Sequence, residues 1–187
     1  IVPRLTGPGP DLDIPHAAFD QAPGDEKLTR LGARAVHLAD RLGLLIWQDM
    51  PAGDNRTPES KVQFEVELER MVQGFRNHPS IILWVVFNEG WGQYDTERLT
   101  AWVKSMDPSR LVNNASGWTD AGGGDVIDIH VYPGPGMAPP EATRASALGE
   151  FGGLGLPIEG HVWQQDGEKK NWGYVSYKTP EDVTKAY

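Results

Sequence analysis

Seven consecutive apolar residues, Ile81–Phe87, are the feature that most constrains how this chain can fold. The run is too short to span a membrane and is rich in β-branched and aromatic side chains, so it is typical of a strand buried on both faces in a parallel sheet. Asn88 and Glu89 follow it directly. Because parallel α/β folds carry their chemistry at the carboxyl ends of the strands, the run predicts a functional amide and carboxylate there.

A second carboxylate, Glu150, ends another apolar segment, within the sequence Gly-Glu-Phe-Gly-Gly that starts at Gly149. Two glutamates at strand ends suggest acid/base and nucleophilic chemistry. Glu89 and Glu150 are 61 positions apart (150 − 89), so only strands of a common barrel would bring them together. The alternative for each is a solvated loop carboxylate, since the chain has 26 acidic residues.

The remaining pattern alternates strands with helices, which is the order of parallel βαβ units. Thr57 with Pro58 predicts the start of one helix, and Asp95 predicts the cap of another. The stretch between Glu150 and Thr179 is aromatic and rich in glycine, which favours an active-site loop over a strand. The predicted strands are Leu44–Trp47, Ile81–Phe87, Leu111–Ser116 and Val126–Tyr132, and a first helix is predicted over Lys27–Arg41.

Three motifs, in order along the chain, resemble the catalytic barrel of glycoside hydrolase family 2, the group of β-galactosidase, β-glucuronidase and β-mannosidase. They are Leu42–Pro51, then Asn77–Ile81 followed by Trp84 and Phe87-Asn88-Glu89, and finally Gly149-Glu150-Phe151-Gly152. The resemblance covers residues 31–187. It implies an α/β fold of the (β/α)8 TIM-barrel type, of which this chain would hold an incomplete barrel, about strands 3 to 7.

The resemblance also implies a retaining β-glycosidase that hydrolyses terminal β-linked sugars, is β-galactosidase-like and needs no cofactor. Glu89 would be the acid/base and Glu150 the nucleophile. Asn88 would contact the hydroxyl beside the anomeric carbon, and Tyr132 or His130 would support the nucleophile. The alternatives are a capping role for Asn88, a core position for His130, and for the whole chain a carbohydrate-binding fragment or pseudoenzyme without activity.

Further contacts with a sugar are expected from side chains that follow strand ends. Asp49 ends the first motif, just after the predicted strand Leu44–Trp47, and could contact hydroxyl groups, while Trp47 could belong to the core. Indole rings commonly stack on the apolar faces of sugars. The tryptophans in such positions are Trp91, Trp118 and Trp163.

Composition excludes several other classes. The 17 basic and 26 acidic residues give a net charge of −9, which disfavours nucleic acid or an anionic membrane as a partner. There are no cysteines and so no disulfides, and the compartment stays undetermined. The five histidines are scattered without HExxH or paired spacing, so no metal site is predicted.

Length predicts an incomplete unit, because 187 residues fall short of the roughly 250 of a full barrel. Residues 1–30 are dense in proline and glycine and are predicted to be irregular, while residues 31–187 form the partial barrel domain. Thr179-Pro180 starts a helix just before the chain ends. The expected partners are a carbohydrate substrate and, to cover the open edges, missing barrel strands and β-sandwich domains of a longer parent or a second copy.

Overall fold

A computed structural model describes residues 34–162 and 172–187. Its centre is a five-stranded parallel sheet in which the strands follow one another in sequence order. The strands are β1 (Ile46–Asp49), β2 (Ile81–Asn88), β3 (Leu111–Ser116), β4 (Val126–Val131) and β5 (Ala145–Phe151). The helices are α1 (residues 34–42), α2 (Pro58–Phe75), α3 (Thr96–Met106) and α4 (Pro180–Ala186).

The sheet curls into a half-barrel with helices between its strands, which confirms the predicted incomplete α/β barrel. All five carboxyl ends lie on one rim, because every pairing is parallel. Among the described residues, no helix is long and apolar enough to cross a lipid bilayer.

Strand β2 is buried on both faces, as its apolar run predicts. On one side Trp84 and Val86 join the core beneath the helices, where Leu68 of α2 and Leu99 of α3 are fully buried. On the other side Leu83 and Val85 pack with Val126 inside the half-barrel. This burial holds the end of β2, and therefore Glu89, in a fixed position.

The two predicted helix caps have opposite outcomes. Thr57 caps α2, since its hydroxyl accepts a hydrogen bond from the Ser60 amide and the Ser60 side chain accepts one from the Thr57 amide. Asp95 precedes α3 but makes no capping hydrogen bond, so that prediction is wrong. Its backbone is left-handed (φ 41°), and its carboxylate instead lies 3.3 Å from the Arg98 guanidinium.

Two features also differ from expectation. The first strand begins at Ile46 rather than Leu44, and the apolar side chains of Leu44 and Leu45 are exposed. A short parallel pair, β6 (Leu154–Gly155) with β7 (Val175–Ser176), stands where only a loop was expected. Helix α4 starts at Pro180 with Thr179 as its cap, as predicted. Residues 27–33 of the predicted first helix lie outside the described residues.

Candidate active site

Glu89 leaves β2 in a left-handed backbone conformation (φ 54°), which is uncommon for a residue other than glycine. Its amide donates a 2.8 Å hydrogen bond to the Ser116 carbonyl at the end of β3, which stabilises this conformation. The Glu89 carboxylate is mostly buried, with Oε1 lying 2.9 Å from Nδ1 of His130 and Oε2 accepting a 3.4 Å hydrogen bond from the Trp91 indole. Strain of this kind is often found at active sites.

Glu150 reaches the same rim through a β-bulge in β5. Along the β4–β5 pairing, Ile129 is opposite Leu148 and His130 is opposite Glu150, which leaves Gly149 without a partner. The Gly149 amide donates a 2.6 Å hydrogen bond to Oδ1 of Asp128, and a Cβ atom at this position would overlap the same carboxylate. Residue 149 therefore has to be glycine.

The two glutamates converge on His130. One side-chain oxygen of Glu89, one of Glu150 and one ring nitrogen of His130 all lie within 4.8 Å of one another. Nε2 of His130 lies 3.6 Å from Oε1 of Glu150, while Nδ1 contacts Glu89. The His130 ring is fully buried, whereas 45% of the Glu150 side chain is exposed. The two carboxylates are thus close together and open to solvent on the Glu150 side.

A buried polar cluster lies beneath the glutamates. The Ser116 hydroxyl contacts Nε2 of His130 at 2.8 Å and Oδ2 of Asp128 at 2.5 Å. Asn113 donates a 3.2 Å hydrogen bond to the same Asp128 oxygen. Gly117, the residue after β3, leaves room for the imidazole, since a Cβ there would lie 2.8 Å from Nδ1 of His130. The cluster fixes the position of the His130 ring.

Tyr132 follows β4 and donates a hydrogen bond from its phenol to Oε2 of Glu150. Burial, together with this hydrogen bond and the charge of Glu150, raises the pKa of Tyr132 well above its ordinary value. The phenol therefore stays protonated and remains a donor to the carboxylate. Tyr174 stacks on the Tyr132 ring with centroids 4.3 Å apart, which holds the phenol in place.

Asp49 ends β1 at the open edge of the sheet and is exposed, yet its pKa is raised to about 6. Desolvation of the carboxyl group is the main cause, followed by the negative charges of Glu150 and Asp128. Asp49 is therefore an electrostatic neighbour of the site, and no direct hydrogen bond joins it to either catalytic candidate among the described residues.

The other predicted substrate contacts surround this centre. Trp91 is exposed and lines a cleft with Asp54 and Arg56 of the loop after β1. Trp118 is exposed and donates a 3.2 Å hydrogen bond to the His130 carbonyl. Asn88 is half-buried, and among the described residues its Oδ1 atom has no hydrogen-bond partner. Trp163 lies outside the described residues.

Glu89, His130 and Glu150 have the spacing of a possible metal-binding group. Their facing atoms already contact protein groups, since Nδ1 of His130 meets Glu89 and the phenol of Tyr132 meets Glu150. Converging acidic side chains of this kind are common without an ion.

Sequence reasoning missed Ser116, Asp128 and Asn113. A usable signal existed for Asp128, because residues two apart on a strand share a face. Asp128, His130 and Tyr132 follow one another at steps of two. Asn113 and Ser116 are polar residues within a buried strand, which is itself informative. Their shared partner could not be inferred from spacing along the chain.

The curled parallel sheet, with carboxylates at the carboxyl rim, defines a domain of the α/β-barrel class that carries an acidic site. Residues 34–133 match the TIM barrel domain of the glycosyl hydrolases family 2, and the chain belongs to this family. Glu89 lies within the matched residues, and Glu150 lies after them.

The chain is also similar to the β-galactosidases of Klebsiella pneumoniae and of Klebsiella pneumoniae strain 342. Each is 44% identical over 64 residues, which is 34% of this chain and 6% of the relative. The chain thus aligns with only a small part of each relative.

Proposed function

We propose that this chain supplies the catalytic pair of a retaining β-glycosidase, with Glu89 as acid/base and Glu150 as nucleophile. The observation that carries the proposal is the separation of the two carboxylates, which have oxygens within 4.8 Å of each other. Retaining enzymes hold the pair about 5–5.5 Å apart, whereas inverting enzymes leave about 6.5–9.5 Å for a water molecule. The observed spacing therefore favours direct attack by a carboxylate.

The difference in surroundings supports the assignment of roles. Glu150 is the more exposed carboxylate, and the Tyr132 phenol is aimed at its Oε2 atom, as expected for a nucleophile that must stay oriented. Glu89 is mostly buried and shares its Oε1 atom with a titratable imidazole, which suits a group that gives up and regains a proton.

The reaction then has two balanced steps. In the first, Glu150 forms a bond to the anomeric carbon while the glycosidic C–O bond breaks and Glu89 gives its proton to the leaving oxygen. In the second, Glu89 takes a proton from water, the resulting hydroxide equivalent attacks the anomeric carbon, and the bond to Glu150 breaks. The sugar is released with its original configuration.

Three further side chains would position the sugar. Half-buried Asn88, next to Glu89, would contact the hydroxyl beside the anomeric carbon, a contact that strengthens as charge develops. The exposed indoles of Trp91, beside Glu89, and of Trp118, beside His130, offer stacking surfaces for a sugar. These contacts also suit the second candidate, a carbohydrate-binding fragment without catalysis, for which the exposed aromatic rings are the favourable observation.

We also propose that the working site includes strands outside the described residues. Strands β1 and β5 are the edges of the open sheet, and the apolar side chains of Leu45 and Trp47 near one edge are exposed. A longer parent or a second copy would cover them. The β-galactosidases supply a first substrate to test, a terminal β-galactoside.

The test is an assay of the full-length protein that contains this chain on nitrophenyl β-galactoside, β-glucuronide and β-mannoside, with the product anomer followed by NMR. Hydrolysis with the β-anomer as first product supports the proposal. Hydrolysis with the α-anomer as first product contradicts the retaining mechanism. Saturable sugar binding without hydrolysis would favour the carbohydrate-binding alternative.

A further inference from the structure

The Ser116 hydroxyl has two close partners but only one proton. It contacts Oδ2 of Asp128 and Nε2 of His130 in the buried cluster beneath the glutamates. A hydroxyl can donate one hydrogen bond and accept others. The direction of both contacts therefore depends on which partner receives the serine proton.

Asp128 decides this direction. Its carboxylate accepts from the Gly149 amide at Oδ1 and from the Asn113 side chain at Oδ2, both of which can only donate to it. The Ser116 hydroxyl likewise donates to Oδ2 of Asp128, so the carboxylate is the acceptor in all three contacts. The serine oxygen then accepts from His130, and Nε2 of His130 carries a proton.

The other ring nitrogen faces Glu89 at 2.9 Å. If the imidazole is neutral, its Nδ1 atom is an acceptor, and a hydrogen bond requires the proton to be on Oε1 of Glu89. If the imidazole is charged, Nδ1 donates to the Glu89 carboxylate. In either hydrogen-bonded arrangement a single proton lies between His130 and Glu89.

We propose that His130 is a positioning residue that shares the catalytic proton of Glu89, and that Ser116 and Asp128 fix the tautomer on which this sharing depends. The kinetic part of this inference rests on the function proposed above. The proton leaves the shared position for the leaving oxygen as the glycosidic bond breaks, and a proton from water returns to it in the second step. No other reactant is needed.

The charged and titratable groups around His130 are consistent with this role. Glu89 and Glu150 face it from the ends of β2 and β5, and Asp128 lies 4.0 Å away on its own strand. Asp49 acts on the same cluster from β1, and the Tyr132 ring packs edge-on at 6.4 Å.

The tautomer can be measured without any reference to activity. In the full-length protein with ¹⁵N-labelled histidine, the His130 resonances are assigned by their loss in His130→Gln and followed over pH. We expect Nε2 to keep its proton throughout, with any change confined to Nδ1. A neutral His130 with its proton on Nδ1 would overturn the inference.

Ser116 variants provide a matched comparison. Ser116→Ala removes the acceptor and should give a mixture of tautomers, whereas Ser116→Thr keeps a hydroxyl and should retain the wild-type tautomer. Ser105→Ala, which removes an exposed serine of α3, should change nothing. A Ser116→Ala protein with the wild-type tautomer would contradict the role of the serine, and the wild-type measurement stands even if this variant does not fold.

The kinetic consequence is a dependence on the leaving group. His130→Gln keeps a donor for Ser116 but has no nitrogen for Glu89, so kcat/KM should fall about 10- to 100-fold for glycosides with poor leaving groups. Dinitrophenyl glycosides, which need no protonation, should be nearly unaffected. Equal losses on both classes would indicate a structural role and overturn the sharing. Absence of all hydrolysis in the wild type would refute the proposed function and the kinetic role, independently of the tautomer result.

Discussion

Nδ1 of His130 lies 2.9 Å from Oε1 of Glu89, although the two residues belong to different strands and are 41 positions apart. The contact crosses β3, which lies between β2 and β4 in the sheet. It is possible because Gly117, at the end of β3, has no side chain to block the imidazole. The acid/base candidate is therefore held by residues from three strands, in addition to the Trp91 indole of its own loop.

Replacing each glutamate should have different effects. Glu150→Ala should abolish turnover of every substrate, because no covalent intermediate can form. Glu89→Ala should spare dinitrophenyl glycosides, and azide should restore its rate by giving the β-glycosyl azide. The measurements are steady-state kinetics and NMR of the azide product. An α-azide from Glu89→Ala, with a fast Glu150→Ala on activated substrates, would exchange the roles.

Tyr132→Phe should lower kcat by about tenfold to 100-fold, because the nucleophile loses an orienting hydrogen bond. Since the pKa of Tyr132 lies well above its ordinary value, the phenol stays protonated across the working range. The alkaline limb of the wild-type pH–rate profile should therefore be preserved in the variant. Disappearance of that limb in Tyr132→Phe would show that the phenol itself titrates during the reaction.

Asp49 should make the folded state less stable as the pH rises. Its folded pKa of about 6 exceeds the ordinary value of 3.8, so the unfolded chain loses this proton first. The free energy of unfolding therefore begins to fall as the pH rises above 3.8, and the loss is complete above a pH of about 6. Asp49→Asn should raise Tm relative to wild type at about pH 8 and give no such gain at about pH 4.

Only the direction of this effect is expected, because Asp49 is exposed and solvent weakens the charge interactions. Asp54→Asn is the matched control. The Arg56 guanidinium holds the pKa of Asp54 below its usual range, so this substitution should not raise Tm at the higher pH. A gain in Tm from both substitutions would point to net charge rather than to the surroundings of Asp49.

Gly149→Ala should destabilise the protein by about 1–3 kcal/mol, because the added methyl group overlaps the buried Asp128 carboxylate. Activity should fall with it, as Glu150 is the next residue. The matched control is Gly74→Ala within α2, where a Cβ would have open space. That change should be neutral or stabilise by up to about 1 kcal/mol. Denaturant unfolding measures both, and equal effects would refute the steric argument.

The sequence predicted the parts of the molecule that depend on local pattern. The apolar run before Asn88 specified β2 and the position of Glu89, and Thr57 with Pro58 specified the start of α2. The first strand was displaced by two residues, because Leu44 and Leu45 are apolar like the strand yet lie outside it and are exposed. In the sequence, an exposed apolar residue beside an edge strand looks the same as a buried apolar residue within the strand.

The remaining features of the candidate site depended on contacts between residues that are far apart in the sequence. Ser116, Asp128 and His130 meet only because β3 and β4 pair in a particular register, which no spacing along the chain states. Aspartate is a common helix cap, which is why Asp95 was predicted to cap α3. In the structure its carboxylate pairs with the Arg98 guanidinium instead. The convergence of the two glutamates and a place for His130 near the nucleophile were expected from the sequence, whereas the contact between His130 and Glu89 was not.

The unpaired Gly149 has a consequence for how this strand could change over time. Side chains alternate between the two faces of a strand, so if Gly149 paired with His130 in regular register, the carboxylate of Glu150 would point away from the interior that Ala147 faces. A change that removed the bulge by letting Gly149 pair would keep every functional group in the protein and still turn the nucleophile to the opposite face. Related sequences with both glutamates but a β5 that pairs without this bulge should therefore be inactive, although a comparison of their motifs would score them as enzymes.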